Sequence, residues 1–216
     1  MISRIKVAYR ALHGEAAEWF RAGLSCIPGR VGCWIRARLY GFRAGRRTCV
    51  WNNVIIYHPA KLTLGNNVQI VPGCQINAGG GVEIADNSMI GPGVFIWSQN
   101  HAYKRADILI CDQGYECLPV KIEEDVWVGA GAIIRPGVRL ARGCVIAAGS
   151  VVTAATEAYT LYAGVPARPV RKRVAGEDVD GVPEDSSREV AHRDACRPDA
   201  RNELPKTSLE CLRRHS

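Results

Sequence analysis

Five histidines are present, and their positions set the chemistry open to the chain. His13 falls in a stretch with helical periodicity, His192 and His215 fall in a polar tail, and His58 precedes Pro59, where a structural role is expected. His101 is different. It stands in Ser98-Gln99-Asn100-His101-Ala102-Tyr103, at the start of a 25-residue segment, 97–121, that interrupts an otherwise regular pattern. A neutral imidazole can take the proton of an attacking hydroxyl and later return it to a leaving group. A second candidate set is cationic: Arg168, Arg171, Lys172 and Arg173, of which the forked guanidinium groups suit phosphate. A zinc centre needs several converging His or Cys ligands. The regular region offers only His58 and His101, and the nine cysteines contain no CxxC, so no metal site is expected.

The pattern that His101 interrupts has a period of six. Leu64, Ile70 and Ile76 are followed, after a two-residue slip at Gly79-Gly80-Gly81, by Ile84, Ile90 and Ile96. Beyond the loop it resumes as Ile122, Val128, Ile134, Leu140, Ile146 and Val152. Four residues after these anchors a small or medium side chain recurs, as at Val68, Cys74, Ser88, Val94, Val126, Ala132, Val138, Cys144 and Ser150. Turn formers such as Asn66-Asn67, Pro72-Gly73, Pro92-Gly93 and Pro136-Gly137 lie between. A helix repeats every 3.6 residues and is broken by such prolines, and a hairpin sheet needs longer alternation. Hexapeptide spacing instead describes a parallel β-helix of about 18 residues per coil, with anchors stacked inside a triangular prism. The two runs make about four coils, with room for one more before Leu64. Cys74 and Cys144 then read as buried small hydrophobes, and Trp127, beside an interior anchor, as facing outward.

Three regions follow. Residues 1–48 read as two basic amphipathic helices, the first carrying Ile2, Ile5, Tyr9, Leu12, Ala16 and Phe20 and the second, with Pro28 in its first turn, aligning Val31, Trp34, Ile35, Leu39 and Phe42. Residues 49–173 form the repeat domain, and 174–216, without aromatics and rich in charge, read as a disordered tail. The net charge of +7 is concentrated at the N-terminus: residues 1–50 hold ten Lys and Arg against two Glu. Such a segment is expected to cap the prism, to lie on an anionic membrane surface, or both; it does not suggest a nucleic-acid-binding fold. Scattered cysteines and no evident signal peptide point to a reducing cytoplasm, with the N-terminus peripheral on the membrane's inner face.

Residues 60–173 resemble the hexapeptide-repeat acyltransferases, in the branch of galactoside, maltose, colanic-acid and capsule O-acetyltransferases. The resemblance rests on Ile84-Ala-Asp-Asn-Ser-Met-Ile-Gly-Pro-Gly-Val-Phe-Ile96 with the Gln99-Asn100-His101-Ala102-Tyr103 that follows, on Val126-Trp127-Val128-Gly129-Ala130, and on Ala163-Gly164-Val165-Pro166-Ala167-Arg168. It implies a left-handed coil, a homotrimer and acetyl transfer from acetyl-coenzyme A to a sugar hydroxyl, in the making of surface polysaccharide or glycoconjugate. It implies His101 as general base with Asn100 and Tyr103 toward the acceptor, and an oxyanion-binding amide near Gly129 and Ala130, given across the subunit interface. It further implies a pantetheine groove along Trp127, Ala130, Ala148 and Thr153, with Arg168 and Arg171 on the coenzyme phosphates. At Val71 the sequence departs from enzymes that carry an acceptor-contacting Asn there, which speaks against a galactoside- or maltose-like acceptor and for a lipid-linked or polymeric sugar. Another acyl donor, such as succinyl-coenzyme A, and a non-catalytic scaffold stay open as alternatives.

Overall fold

A computed structural model of the chain describes residues 15–174. The expected helix through Ile2, Ile5, Tyr9 and Leu12, and the tail from 175 onward, lie outside those residues. Coil 1 consists of β1 (Arg43–Ala44), β2 (Cys49–Val50) and β3 (Ile55–Tyr57). Coil 2 follows with β4 (Leu62–Leu64), β5 (Gln69–Ile70) and β6 (Gln75–Asn77), and coil 3 with β7 (Val82–Ile84), β8 (Met89–Ile90) and β9 (Phe95–Trp97). An inserted hairpin, β10 (Gln99–His101) and β11 (Tyr115–Cys117), precedes coil 4: β12 (Val120–Ile122), β13 (Trp127–Val128) and β14 (Ile133–Ile134). Coil 5 holds β15 (Arg139–Leu140), β16 (Val145–Ile146) and β17 (Val151–Val152); β18 (Thr160–Gly164) starts a sixth turn, and β19 (Ala167–Lys172) folds back on it antiparallel.

Strands of equal rank pair in parallel from coil to coil and make three faces. Face A is β1-β4-β7-β12-β15, face B is β2-β5-β8-β13-β16-β18-β19, and face C is β3-β6-β9-β14-β17. Every anchor of the six-residue frame is buried, from Leu64 to Val152, and so is each small position, Cys74 and Cys144 included. Register explains this: Ile70, Ile90, Val128 and Ile146 are direct partners up face B, so one aliphatic column runs the length of the core. The prism starts at Arg43, inside the segment expected to be helical up to residue 48.

A stacked coil leaves its first strands with unpaired edges, a liability unless covered. Here α1 (residues 15–26) and α2 (Gly29–Leu39) cover them. Ser25 accepts the Asn53 N–H through its carbonyl (2.9 Å), and the Tyr40 hydroxyl donates to Val54 O (3.3 Å). Arg36, expected among the solvated arginines, is fully buried instead. It donates to Val50 O at 2.8 Å, to Leu24 O at 2.8 Å and to Ile27 O at 2.6 Å, so one guanidinium satisfies the open edge of β2 and the last carbonyls of α1. The helix stripe is corrected accordingly. The inward side of α2 is Gly32, Cys33 and Arg36, whereas Val31, Trp34 and Leu39 are exposed, as are Ala16 and Phe20 on α1. Pro28 caps α2 rather than lying in its first turn. Cys33 and Cys49 form a disulfide that fastens α2 to β2, a pairing the cysteine scatter did not suggest.

Candidate active site

The segment 97–121 was expected to be an irregular loop and is an ordered hairpin. Gln99 pairs with Cys117, Asn100 with Glu116 and His101 with Tyr115. The hairpin tip is tied by Gln113, which donates to Arg105 O (2.7 Å) and Ile108 O (2.9 Å) while accepting the Arg105 N–H at 3.0 Å. A Lys104–Glu116 ion pair (2.8 Å) ties the segment after β10 to β11, and Arg105 holds the Asp107 carboxyl below the usual carboxylate range. The His101 ring leans on Tyr115, centroids 4.6 Å apart, and its backbone N–H donates to Asn100 Oδ1 at 3.0 Å. The Asn100 side chain is therefore engaged in shaping the turn into His101. Tyr103 lies exposed on the same hairpin, as does the His101 ring itself.

The root of the hairpin explains the slip in the six-residue frame. Ser98, fully buried, donates to Asn77 O (2.7 Å) and accepts the Gly80 N–H (2.9 Å). A Cβ on Gly79 would stand 1.8 Å from Gln99 Oε1, and one on Gly80 would stand 2.2 Å from Ser98 O. The triple glycine clears the room that lets the chain leave the prism directly above. Ser98 and Asn77 were not singled out from sequence, because their role depends on the stacking of coil 3 over coil 2.

The remaining candidates gather at the corner between faces B and C. Trp127 is half exposed in β13, between Met89 and Val145 in register. Ala130 and Ala148 follow at the turn, stacked so that Gly149 N–H donates to Ala130 O at 2.8 Å. Leu161 continues the Trp127–Val145 column, and Arg171 stands opposite Leu161 on β19, with Arg168 opposite Ala163. Gly129 and Ala130 part ways. The Gly129 N–H is committed to Ile146 O (2.8 Å), and a Cβ there would meet the Ala148 nitrogen at 2.7 Å, so Gly129 serves coil stacking. The Ala130 N–H donates to nothing among the described residues, and the same holds for Ala148. In coils 2 and 3 the equivalent residues are Pro72 and Pro92, each followed, like the two alanines, by a glycine at positive φ. Coils 4 and 5 thus offer amides at this corner where coils 2 and 3 do not.

Thr153 lies elsewhere. It is exposed at the corner between faces C and A, the same corner that launches the hairpin one coil pair earlier. Within one chain the candidates thus fall into two sets on opposite margins of face C: Asn100, His101, Tyr103 and Thr153 on one, Trp127, Ala130, Ala148 and Arg168 on the other. Face C between them turns Ile55, Gln75, Phe95, Ile133 and Val151 outward, apolar but for Gln75, with Ile55 and Ile133 exposed.

The bacterial transferase hexapeptide family (six repeats) matches residues 119–154. A dTDP-4-amino-4,6-dideoxy-D-glucose acyltransferase from Escherichia coli is 30% identical over 166 residues, covering 64% of this chain and 86% of the relative. This chain belongs to the hexapeptide-repeat transferases. Within that family, a putative acetyltransferase of Schizosaccharomyces pombe is 40% identical over 42% of this chain and 43% of its own length. A probable acetyltransferase of Mycobacterium tuberculosis is 31% identical over 56% and 40%. The chain thus spans less than half the length of these two relatives. Among solved structures, a Vibrio cholerae hexapeptide-repeat acetyltransferase complexed with acetyl-coenzyme A superposes with a TM-score of 0.66 at 25% identity, covering 72% of this chain and 84% of that one. Galactoside acetyltransferase in complex with coenzyme A gives 0.65 at 25% identity, over 74% and 79%.

Proposed function

We propose that this hexapeptide-repeat protein transfers an acetyl group from acetyl-coenzyme A to a sugar hydroxyl, as a homotrimer, in the building of a cell-surface polysaccharide or glycoconjugate. The observation that carries the reading is the division of the candidate residues between the two margins of an apolar face. Two margins of one prism cannot meet within a chain. When face C packs on a neighbouring copy, the His101 margin of one copy comes to the Ala130 margin of the next, and threefold closure makes three equal sites. That the solved relatives hold acetyl-coenzyme A or coenzyme A supports the donor.

In this reading the pantetheine arm runs along Ala130 and Ala148, where small side chains let it lie against backbone, with Trp127 as one wall. Arg168 and Arg171 receive the phosphates by paired N–H donors. His101 accepts the hydroxyl proton as the acceptor oxygen attacks the thioester carbon. The carbonyl electron pair moves to oxygen, facing the Ala130 N–H, an amide that needs no reorganisation to receive it. Collapse restores the carbonyl, breaks the carbon–sulfur bond and returns the proton from His101 to the departing thiolate.

The test is thiol release with acetyl- and succinyl-coenzyme A across sugar acceptors, for the native chain and His101→Ala. Loss of about 10²–10⁴-fold is expected for the variant; an unchanged rate would exclude His101 as base. No release with any donor would leave the scaffold alternative standing. Light scattering should give three copies per particle, and a monomer that turns over would refute the shared site. A second reading, transfer to an amine, draws on the Escherichia coli relative, whose name specifies an amino sugar; amino-sugar acceptors belong in the same assay.

A further inference from the structure

Between Glu18 and Glu83 the chain contains no Asp or Glu, yet it holds seven arginines and Lys61. This stretch builds α2, coil 1, coil 2 and all of α1 but its first turn, where Glu15 and Glu18 lie exposed; together these form the N-terminal end of the prism. Arg36 is used internally and Arg21 pairs with Glu18. Arg38, Arg43, Arg46 and Arg47 are exposed and pair with no carboxylate among the described residues. Both helices bind the prism by one side: Leu24 and Ser25 of α1, Cys33 and Arg36 of α2. Their opposite sides therefore face away from it, and those sides are not polar. Trp19 is 78% exposed, Val31 69% and Trp34 61%; Phe20 and Leu39, also exposed, line a shallow cleft with His58, Pro59 and Lys61 of the prism. The Arg38 guanidinium lies 5.2 Å above the Trp34 ring.

We infer that this end of the molecule docks on an anionic lipid bilayer. The combination selects the partner. Cations without carboxylates attract any polyanion, but nucleic acid or an acidic protein gives no reason to leave two tryptophans and Val31 facing outward. Tryptophan prefers the headgroup layer, where its ring is half dehydrated and its N–H still finds water, and arginine above it reaches lipid phosphate while its stem lies on apolar surface. No helix among the described residues is long and apolar enough to cross a membrane, so the attachment is peripheral. The surface lies at the far end of the prism from β18 and β19, so docking leaves the candidate groove exposed to solvent.

The experiment is co-sedimentation of the full chain with phosphatidylcholine vesicles, with and without phosphatidylglycerol, at low and high NaCl, alongside duplex DNA as a competing polyanion. Binding is expected only with phosphatidylglycerol, weakened by salt, with a blue shift of tryptophan emission. Trp34→Ser should weaken it several-fold, and Arg38→Gln by about fivefold, each leaving acetyl transfer to a soluble sugar unchanged. That last readout separates this inference from the proposed reaction. Equal binding to neutral vesicles, no binding at all, or DNA binding that is stronger and indifferent to Trp34→Ser would overturn it.

Discussion

Before the hairpin, the prism is closed at its B–C corner by Pro72 and Pro92 and covered on its open end by Arg36 and two helices. After the hairpin, the same corner carries Ala130 and Ala148 with their amides unclaimed; carboxylates, missing between Glu18 and Glu83, reappear from coil 3 onward, several in pairs: Glu83 with Lys121 at 3.8 Å, Glu124 with Arg142 at 2.9 Å, Asp125 with Arg173 at 3.1 Å. One repeat thus builds two kinds of wall. Where only shape is needed the turn is proline, which fixes the backbone and has no N–H. At Ala130 and Ala148 the turn keeps its donor, as the proposed groove requires. Surface ion pairs contribute little to stability, so from coil 3 onward they mainly balance charge: residues 83–174 hold ten Lys and Arg against nine Asp and Glu, whereas eight Lys and Arg stand between Glu18 and Glu83 with no carboxylate.

The comparison can be broken most directly at Ala130. Ala130→Pro gives coil 4 the corner that coils 2 and 3 already have, so the fold should persist while the amide is lost. A fall of about 10²–10³-fold in acetyl transfer is expected, with the circular dichroism and urea midpoint of the native chain; full activity would remove Ala130 from the oxyanion role. Next in size is Arg36→Met, which leaves Leu24 O, Ile27 O and Val50 O without their donor. A loss of about 3 kcal/mol is expected by urea titration, opening the N-terminal end first, as amide exchange at Ile56 against Ile146 would register; uniform exchange would show that the helices are no cap. The smallest effect concerns Cys74 in coil 2 and Cys144 in coil 5. Burial pushes both thiols up, so at about pH 8 neither should react with a maleimide while exposed Cys111 and Cys117 do. Labelling of one and not the other would show that the two halves open independently.

The six-residue frame made the core legible because each coil repeats one demand on every sixth residue, and Leu64 through Val152 meet it without help from distant sequence. Trp127 could be placed facing outward by the same logic. The ends were harder. Arg36 looks like any surface arginine until the carbonyls of Leu24, Ile27 and Val50 are brought around it, and that convergence is tertiary. With a guanidinium and Gly32 turned inward, Val31 and Trp34 were left outside, against their polarity. The Cys33–Cys49 bridge links a helix to a strand and has no spacing signature. In the hairpin, the pairs Gln99/Cys117, Asn100/Glu116 and His101/Tyr115 show no apolar alternation, and the long connection between them hid the pairing. The free amide of Ala130 was within reach of sequence: the change from Pro72 and Pro92 to Ala130 and Ala148 is visible once the turns are aligned.

Ser98 and Leu118 stand twenty positions apart along the chain, yet Leu118 N–H donates to Ser98 O at 2.8 Å. The prism is therefore already closed beneath the insertion, and the cost of closing a longer or shorter one over that gap grows only slowly with its length. The piece that bears the imidazole behaves as an exchangeable cassette. Replacing it with a hairpin of another length should leave the aliphatic column below undisturbed.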